Sequence, residues 1–557
     1  MRRPAAKVKP RIAKTASFPA PVGGWIKNQN LATPGARLPD GSKVNGAFVL
    51  ENLFPTATGI RMRGGSDVFA EIGDASTPVT SMFAYSNGNN KKLFATTASA
   101  IYNISSPVTP SNELLVDHDD KFLVDQDGNF LLSRLSIPLA DVTELEGGDW
   151  SVAQFATPGG VFLRAVNGMD TPLVYDGTAW AETPAITGTG LDPEDLSFVW
   201  VHQRRVFFIK KDSLSAWYLA ADSIGGAAVE LPLGAVFGRG GSLLFGSSWS
   251  IESGNGLNEQ CVFVTTEGEA AIFQGNDPSV AASWSKVGVY RIGRPMGPRG
   301  HIRAGGDIVI ATDIGFVPLS QAIQRDVAAL SPSAISYPIE TAWNDATVQR
   351  ASAGWACEVW PTKQMVVVAL PTNDGDQAQM FVANARTGAW GLYTGWNGKC
   401  VQLFNDRFFF GSIKGRIVEA EVTGADQGAA YTAACVPLFD SLKASASLKT
   451  SLLMRATLRA PYEVVPRLSL QSDYTINLPS PPDAIATPTS GVWGGAIWGV
   501  AQWGGELIKK IFQRWQSVGG SGYAIAPAVQ ITSGSIVPPD VELVSIDMTY
   551  DQGDIVT

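Results

Sequence analysis

The sequence predicts a mainly β protein: a propeller-like domain of about six to eight antiparallel blades, followed by a smaller β-rich domain. Three observations predict it: a hairpin pattern that returns seven times, an abundance of turn residues, and a scarcity of helical periodicity. Of 557 residues, 58 are Gly and 34 are Pro, and aromatics make up 10%. That composition suits many short strands joined by tight turns.

The repeated hairpins are LFATTASAIYNI (93–104), VFLRAVNGMDTPLVYDG (161–177), VFFIKKDSLSAWYL (206–219), VFVTTEGEAAIFQG (262–275), IVIATDIGFVPLS (308–320), VVVALPTNDGDQAQMFVANA (366–385) and FFFGSIKGRIVEAEV (408–422). Each places three or four apolar β-formers before a polar break, often with Gly, and then a second apolar run. A four-stranded unit recurring every ~40 to 50 residues is the signature of a propeller blade. One blade cannot cover its own apolar faces, whereas a closed ring buries both and leaves only short edges. A sandwich or barrel with the same spacing is the competing architecture.

In chain order, the first element is basic. Arg2, Arg3, Lys7, Lys9, Arg11 and Lys14 precede any acid, and residues 1–25 predict an extended arm, either a solvated tail or an anchor that docks on an acidic neighbour or on nucleic acid. Residues 26–430 form the propeller-like domain, with a small hairpin insertion near 114–135. There LVDHDDKF is followed at once by LVDQDGNF (115–130). An EF-type calcium loop would need Gly at the sixth place and Glu at the twelfth. The frame starting at Asp125 has Phe130 and Ser136 there. The octapeptides therefore predict a three-stranded meander turned at Asp119-Asp120 and Asp127-Gly128 and inserted between two blades. PIETAWNDATVQR (338–350) is the best helix, with Pro in its first turn and Ile339, Trp343 and Ala346 on one face.

Residues 431–557 form the second β-rich domain. It opens with SLKASASLKTSLLMRATLRAP (441–461), which places Lys443, Lys449, Arg455 and Arg459 without an acid. After the Pro-rich stretch 479–490 come Trp493, Trp498 and Trp503, one every five residues. That period fits neither a strand face nor a heptad, and predicts aromatic packing or a loop contact.

Catalytic and metal signatures are absent: no GxSxG, GxxxxGK[ST], GxGxxG after a strand, or HExxH occurs. His118, His202 and His301 are the only histidines, which leaves little material for base catalysis or metal binding. Cys261, Cys357, Cys400 and Cys435 are scattered, with no CxxC pair, so neither a zinc site nor a disulfide framework is indicated. No cofactor is implied. YDGTAW (175–180) and NARTGAW (384–390) resemble, in part, the Asp-box turns of sialidase-like propellers, but as blade turns with Trp180 and Trp390 packing they need no chemistry. A net charge of −9 disfavours a chain that grips nucleic acid over its whole surface. No apolar run reaches the ~18 residues of a membrane span.

Several stretches, namely GGWIKNQNLATPGARLPDGSKVNGAFVLENLFPTATGIRMRGG (23–65), LSAWYLAADSIGGAAVELPLGAVFGRGGSLLF (214–245), EGEAAIFQGNDPS (267–279), VGVYRIGRPMGPRGHIRAGGDIVIATDIGFVPLS (287–320) and RWQSVGGSGYAIAPAVQITSG (514–534), resemble the nozzle, or tail hub, proteins of short-tailed bacteriophages. The resemblance implies a structural virion protein and not an enzyme. It would be assembled in the host cytoplasm as a ring, commonly a homohexamer, below the portal–adaptor complex. Its partners would be its own copies, the adaptor protein, tail fibres, and double-stranded DNA in transit through a central channel. An acidic wall suits such a channel, because a basic one would hold phosphates. The alternatives are a polysaccharide hydrolase or adhesin on a phage tail, and a cellular propeller scaffold.

Overall fold

The computed structural model describes residues 13–555 except 34–35, 37–43, 73–75, 107–110, 115–131, 136–137, 253–256, 351–353, 372–376 and 486–508. The chain divides into two compact units: residues 67–380 with 395–420, and residues 1–66 with 381–394 and 421–557.

The first unit is a β-propeller. Blade one orders Ser81–Asn87, Asn90–Thr96, Ile101–Asn103 and Ala140–Val142 from inside to outside. Blade two is Ser151–Thr157, Gly160–Val166, Leu173–Tyr175 and Trp180–Ala181, and blade three is Leu196–His202, Arg205–Lys210, Ser215–Tyr218 and Val229–Pro232. Leu243–Glu252, Leu257–Thr265, Glu269–Gly275 and Trp284–Arg291 make blade four, and the three strands His301–Ala304, Asp307–Thr312 and Gly315–Pro318 make blade five. The hairpin Ala356–Trp360 with Met365–Ala369 fills the next sector. Blade six is Cys400–Phe404, Arg407–Gly411 and Arg416–Thr423, with Gly65–Glu71 as its outermost strand. A strand from before blade one thus completes the last blade, which ties the two ends of the ring together and leaves only short outer edges.

Each inner strand packs beside the inner strand of its neighbour around most of the ring. The layers between blades are apolar: Phe83, Phe94, Leu163 and Tyr175 join blades one and two, and Trp200, Phe207, Phe245, Phe263 and Ile310 run through blades three to five. Gly246 shows how tight this is, since a Cβ there would lie 2.4 Å from the Trp200 ring. The helix Glu340–Gln349 follows a 3-10 turn at Tyr337–Ile339. It is held by Trp343, which is fully buried and donates its Nε1 hydrogen to the Thr312 carbonyl at 2.8 Å.

The insertion departs from its expected place. Ser111–Leu114 pairs with Leu132–Leu135 as a separate two-stranded stem, and the octapeptides 115–130 lie outside the described residues. The flanking strands Ile101–Asn103 and Ala140–Val142 are hydrogen-bonded neighbours. The insertion therefore grows from within blade one and not between two blades, because its two ends enter adjacent strands of one sheet.

The second unit consists of long strands. Ser447–Ala460 pairs with Glu542–Ile555, which in turn pairs with Lys14–Pro19. A second sheet orders Trp390–Thr394, Ala47–Glu51, Tyr431–Pro437, Ile525–Ser533 and Arg467–Ser472. The expected boundary at 430 therefore does not divide the structure. Residues 1–66 and 381–394 join the C-terminal segment through pairings that local texture cannot reveal. The expected arm is likewise corrected at its end: KTASFP is a strand with Phe18 buried, and the Lys14 ammonium donates to the Gln552 side chain.

In this unit Arg63 is completely buried. Its guanidinium binds both Asp426 oxygens, at 2.9 and 2.5 Å, and donates to Asn52 Oδ1 and to the Gly64 and Thr394 carbonyls at 2.8 Å each. The Tyr431 ring lies 3.9 Å beneath it. Burial, the largest influence, disfavours the cation, but the Asp426 hydrogen bonds and charge, with Tyr431 and Tyr393, together outweigh it and raise the affinity for the proton.

Candidate functional site

The propeller holds an axial cavity of about 580 Å³. Residues from every sector line it, among them Phe83, Trp150, Phe198, Leu243, Arg299 and Glu358. These side chains come from the inner strands, such as Phe83, Phe198, Leu243 and Glu358, and from the turns just before them, such as Trp150 and Arg299.

Its charges are mostly engaged. Arg299 forms an ion pair with Asp149 and donates to the Thr80 carbonyl at 3.2 Å. Lys211 donates to the Gly168 carbonyl at 2.8 Å and pairs with Asp195 at 3.1 Å. Glu358 Oε1 accepts from the Val359 amide at 3.0 Å, and burial raises its carboxyl above the ordinary range. His301 stacks on Phe245 with ring centroids 4.2 Å apart. Burial lowers its imidazole to about 4, so it is neutral at physiological pH. The arrangement can hold a small polar or amphiphilic group. It brings no nucleophile to a base among the described residues, and no group of three metal-ligating side chains occurs among them.

His202 sits apart from this cavity, buried, with Nδ1 2.8 Å from Ser248 Oγ and Nε2 3.3 Å from the Gly275 carbonyl. His202 is thus a packed residue, His301 packs on Phe245 at the cavity wall, and His118 lies outside the described residues. The four cysteines are free thiols. In YDGTAW, Asp176 Oδ1 accepts from the Thr178 and Ala179 amides at 2.7 and 2.9 Å, while Tyr175 packs on Trp180 at 5.2 Å. In NARTGAW, Asn384 Oδ1 accepts from the Arg386 and Thr387 amides and Trp390 is fully buried. Both fragments are turns with a packing tryptophan.

Of the docking residues expected in the arm, only Lys14 is described; Arg2, Arg3, Lys7, Lys9 and Arg11 lie outside the described residues, as do Trp493, Trp498 and Trp503. A surface that the sequence did not announce lies on the second unit. Along Ser447–Ala460, Arg455 and Arg459 are paired with Asp547 and Glu542, at 2.9 and 3.1 Å. Trp515 lies over Arg455, 4.8 Å from ring to guanidinium. On the same strand face Leu453 and Ile511 stand exposed. Opposed charges that neutralise each other, beside open apolar side chains, make a surface suited to a protein partner. The irregular pairing between Ser451 and Leu453 hid this from the sequence, because it turns consecutive Leu452 and Leu453 outward together.

No family model matches the chain, and no curated protein matches it. Among solved structures it is similar to the WD40 β-propeller domain of Doa1 (TM-score 0.33, 10% identity, 64% of this chain and 96% of that one). It is also similar to the β-propeller domain of Cps50 (Swd1) from Myceliophteria thermophila (TM-score 0.31, 10% identity, 61% and 96%). A GH74 xyloglucanase from Xanthomonas campestris is similar too (TM-score 0.30, 13% identity, 63% and 53%). At such scores the likenesses carry no functional argument, and the propeller rests on its own strand pairing. No described helix is long and apolar enough to cross a membrane.

Proposed function

We propose that this chain is a structural virion protein, the nozzle or tail hub of a short-tailed bacteriophage. Copies assemble into a ring, a homohexamer in this reading, below the portal–adaptor complex and within reach of tail fibres. The ring retains the packaged genome and conducts it outward. The reading rests on the sequence resemblance, and the observation that carries it is the neutralised, apolar face of the second unit around Leu453, Ile511 and Trp515. DNA would travel between subunits and not through the propeller. A cavity of about 580 Å³ has no room for a duplex whose major groove alone is about 12 Å wide.

Electron microscopy of negatively stained, purified full-length protein tests the ring. Six-fold particles with a central hole are expected, and Leu453→Glu with Ile511→Asp should reduce them to monomers with an unchanged circular dichroism spectrum. A strictly monomeric protein at high concentration that is also missing from purified virions would end the proposal. Release of reducing sugar from host capsule by the purified protein would favour the hydrolase alternative instead.

A further inference from the structure

Arg164 is as deeply buried as Arg63, with no exposed surface, yet its surroundings are different in kind. It lies on Gly160–Val166 of blade two, directly opposite Ala153, while Phe162 faces Phe155 two positions away. Ala153, Phe155 and Val166 belong to the apolar layer that joins blade two to blade three, with Leu196, Val199, Phe208 and Trp217. Arg164 therefore enters the middle of that layer. Its Nη1 hydrogen goes to the Pro184 carbonyl at 3.2 Å, and Nε and Nη2 have no partner. The same layer holds a third unpartnered donor, Trp217 Nε1, on a side chain that is 3% exposed.

Burial lowers the guanidinium to about 10, and it still carries its charge at neutral pH. A buried cation without a counter-charge is among the costliest features a fold can contain. All the unpartnered atoms are donors, so what is missing is an acceptor, and a negative one. Water would satisfy hydrogen bonds but would leave the charge uncompensated.

We propose that the layer between blades two and three contains a binding site for a small monovalent inorganic anion of halide size, held by Arg164 Nε and Nη2 with Trp217 Nε1 as a further donor. The anion is a structural component of the propeller and fixes two consecutive blades to each other.

The test uses the full chain and two probes. First, thermal unfolding is followed while chloride replaces gluconate, too bulky for a buried site, at constant ionic strength. The midpoint should rise by roughly 2 °C per tenfold chloride, and Arg164→Met should remove the dependence. Second, crystals soaked in bromide should show an anomalous peak in hydrogen-bonding range of Arg164 Nε and Nη2. Equal chloride dependence in both proteins, no dependence in either, or water alone at Arg164 in the soaked crystal overturns the proposal. If Arg164→Met does not fold, the bromide experiment decides alone.

Discussion

In the propeller, most strands pair with the strand that follows them in sequence, as Arg205–Lys210 does with Ser215–Tyr218, with Gly65–Glu71 on the last blade as an exception. In the second unit, Lys14–Pro19 meets a strand more than five hundred residues later, with Ser17 Oγ donating to Asp547 at 2.6 Å. Both regions are antiparallel β-sheet with buried apolar faces, and both bury one arginine at full depth. What differs is how the chain reaches its partners. Local pairing assembles blades from short loops at small entropic cost, whereas distant pairing needs a specific cross-link to fix register. Arg63 is such a link: it ties Asn52, Thr394, Asp426 and Tyr431, from three separated segments, to one guanidinium. Arg164 ties nothing comparable, since its neighbours are already in sequence order.

The sharpest way to break this comparison is to delete Arg63. Arg63→Met leaves Asp426 without its cation, and a loss of about 3–5 kcal/mol is expected. In denaturant melts the loss should fall on the transition of the second unit and spare the propeller's. A single unfolding event shifted as a whole would show that the two units do not respond separately. Trp343→Ala is the matching lesion in the propeller, at about 3–5 kcal/mol. Hydrogen exchange should then rise along Asp307–Thr312 and Glu340–Gln349, with Ser447–Ala460 unchanged.

Acid should also separate the regions. In the folded propeller His301 holds its proton only below about 4, against 6.5 when unfolded, and burial depresses His202 in the same direction. The unfolded chain therefore takes up protons first, and stability falls as pH drops from about 6.5 towards 4. His301→Gln should flatten that slope in a urea series. Glu358 has the opposite sign: its raised carboxyl costs stability above the ordinary carboxylate range and nothing below it. Glu358→Gln should therefore stabilise the protein at pH 7, with the gain vanishing towards pH 4. The smallest effect is expected for Arg459→Ala, about 0.5 kcal/mol, because its pair with Glu542 is partly open to solvent.

Legibility in the sequence follows the same division. Each of the seven hairpins read from the sequence begins on the second strand of a sector of the propeller, and all but 366–385 continue onto that blade's third strand; the second half of 366–385 is Gln379–Asn384, most of which belongs to the other unit. These middle strands are buried on both faces, and FFF at 408–410 and VVV at 366–368 therefore read as unbroken apolar runs. Inner strands were missed because polar residues break their apolar runs, as Glu358 does in Ala356–Trp360. The axial cavity was invisible because its lining comes from those strands and from the turns beside them. Trp150, which lines it, stands alone in an otherwise polar stretch. The second unit's composition was readable after 430, but its partnership with residues 14–62 was not, since no short-range signal announces a pairing across most of the chain. The Arg63 node is spread in the same way, and nothing near residue 63 marks Asp426 as its partner.

The stem Ser111–Leu114 with Leu132–Leu135 leaves and rejoins blade one between two strands that are hydrogen-bonded to each other. Whatever length of chain the stem carries, the blade beneath it keeps the same register, because the ends of the detour stay fixed a few ångströms apart. Such a slot separates what a lineage can vary from what it must keep: sequence there can lengthen, duplicate or be exchanged without refolding the ring. The tandem LVDHDDKF–LVDQDGNF, one octapeptide beside its near copy, is what an in-place duplication in that slot would leave behind. The same property makes it the position at which an affinity tag or a foreign epitope should be carried without loss of the fold.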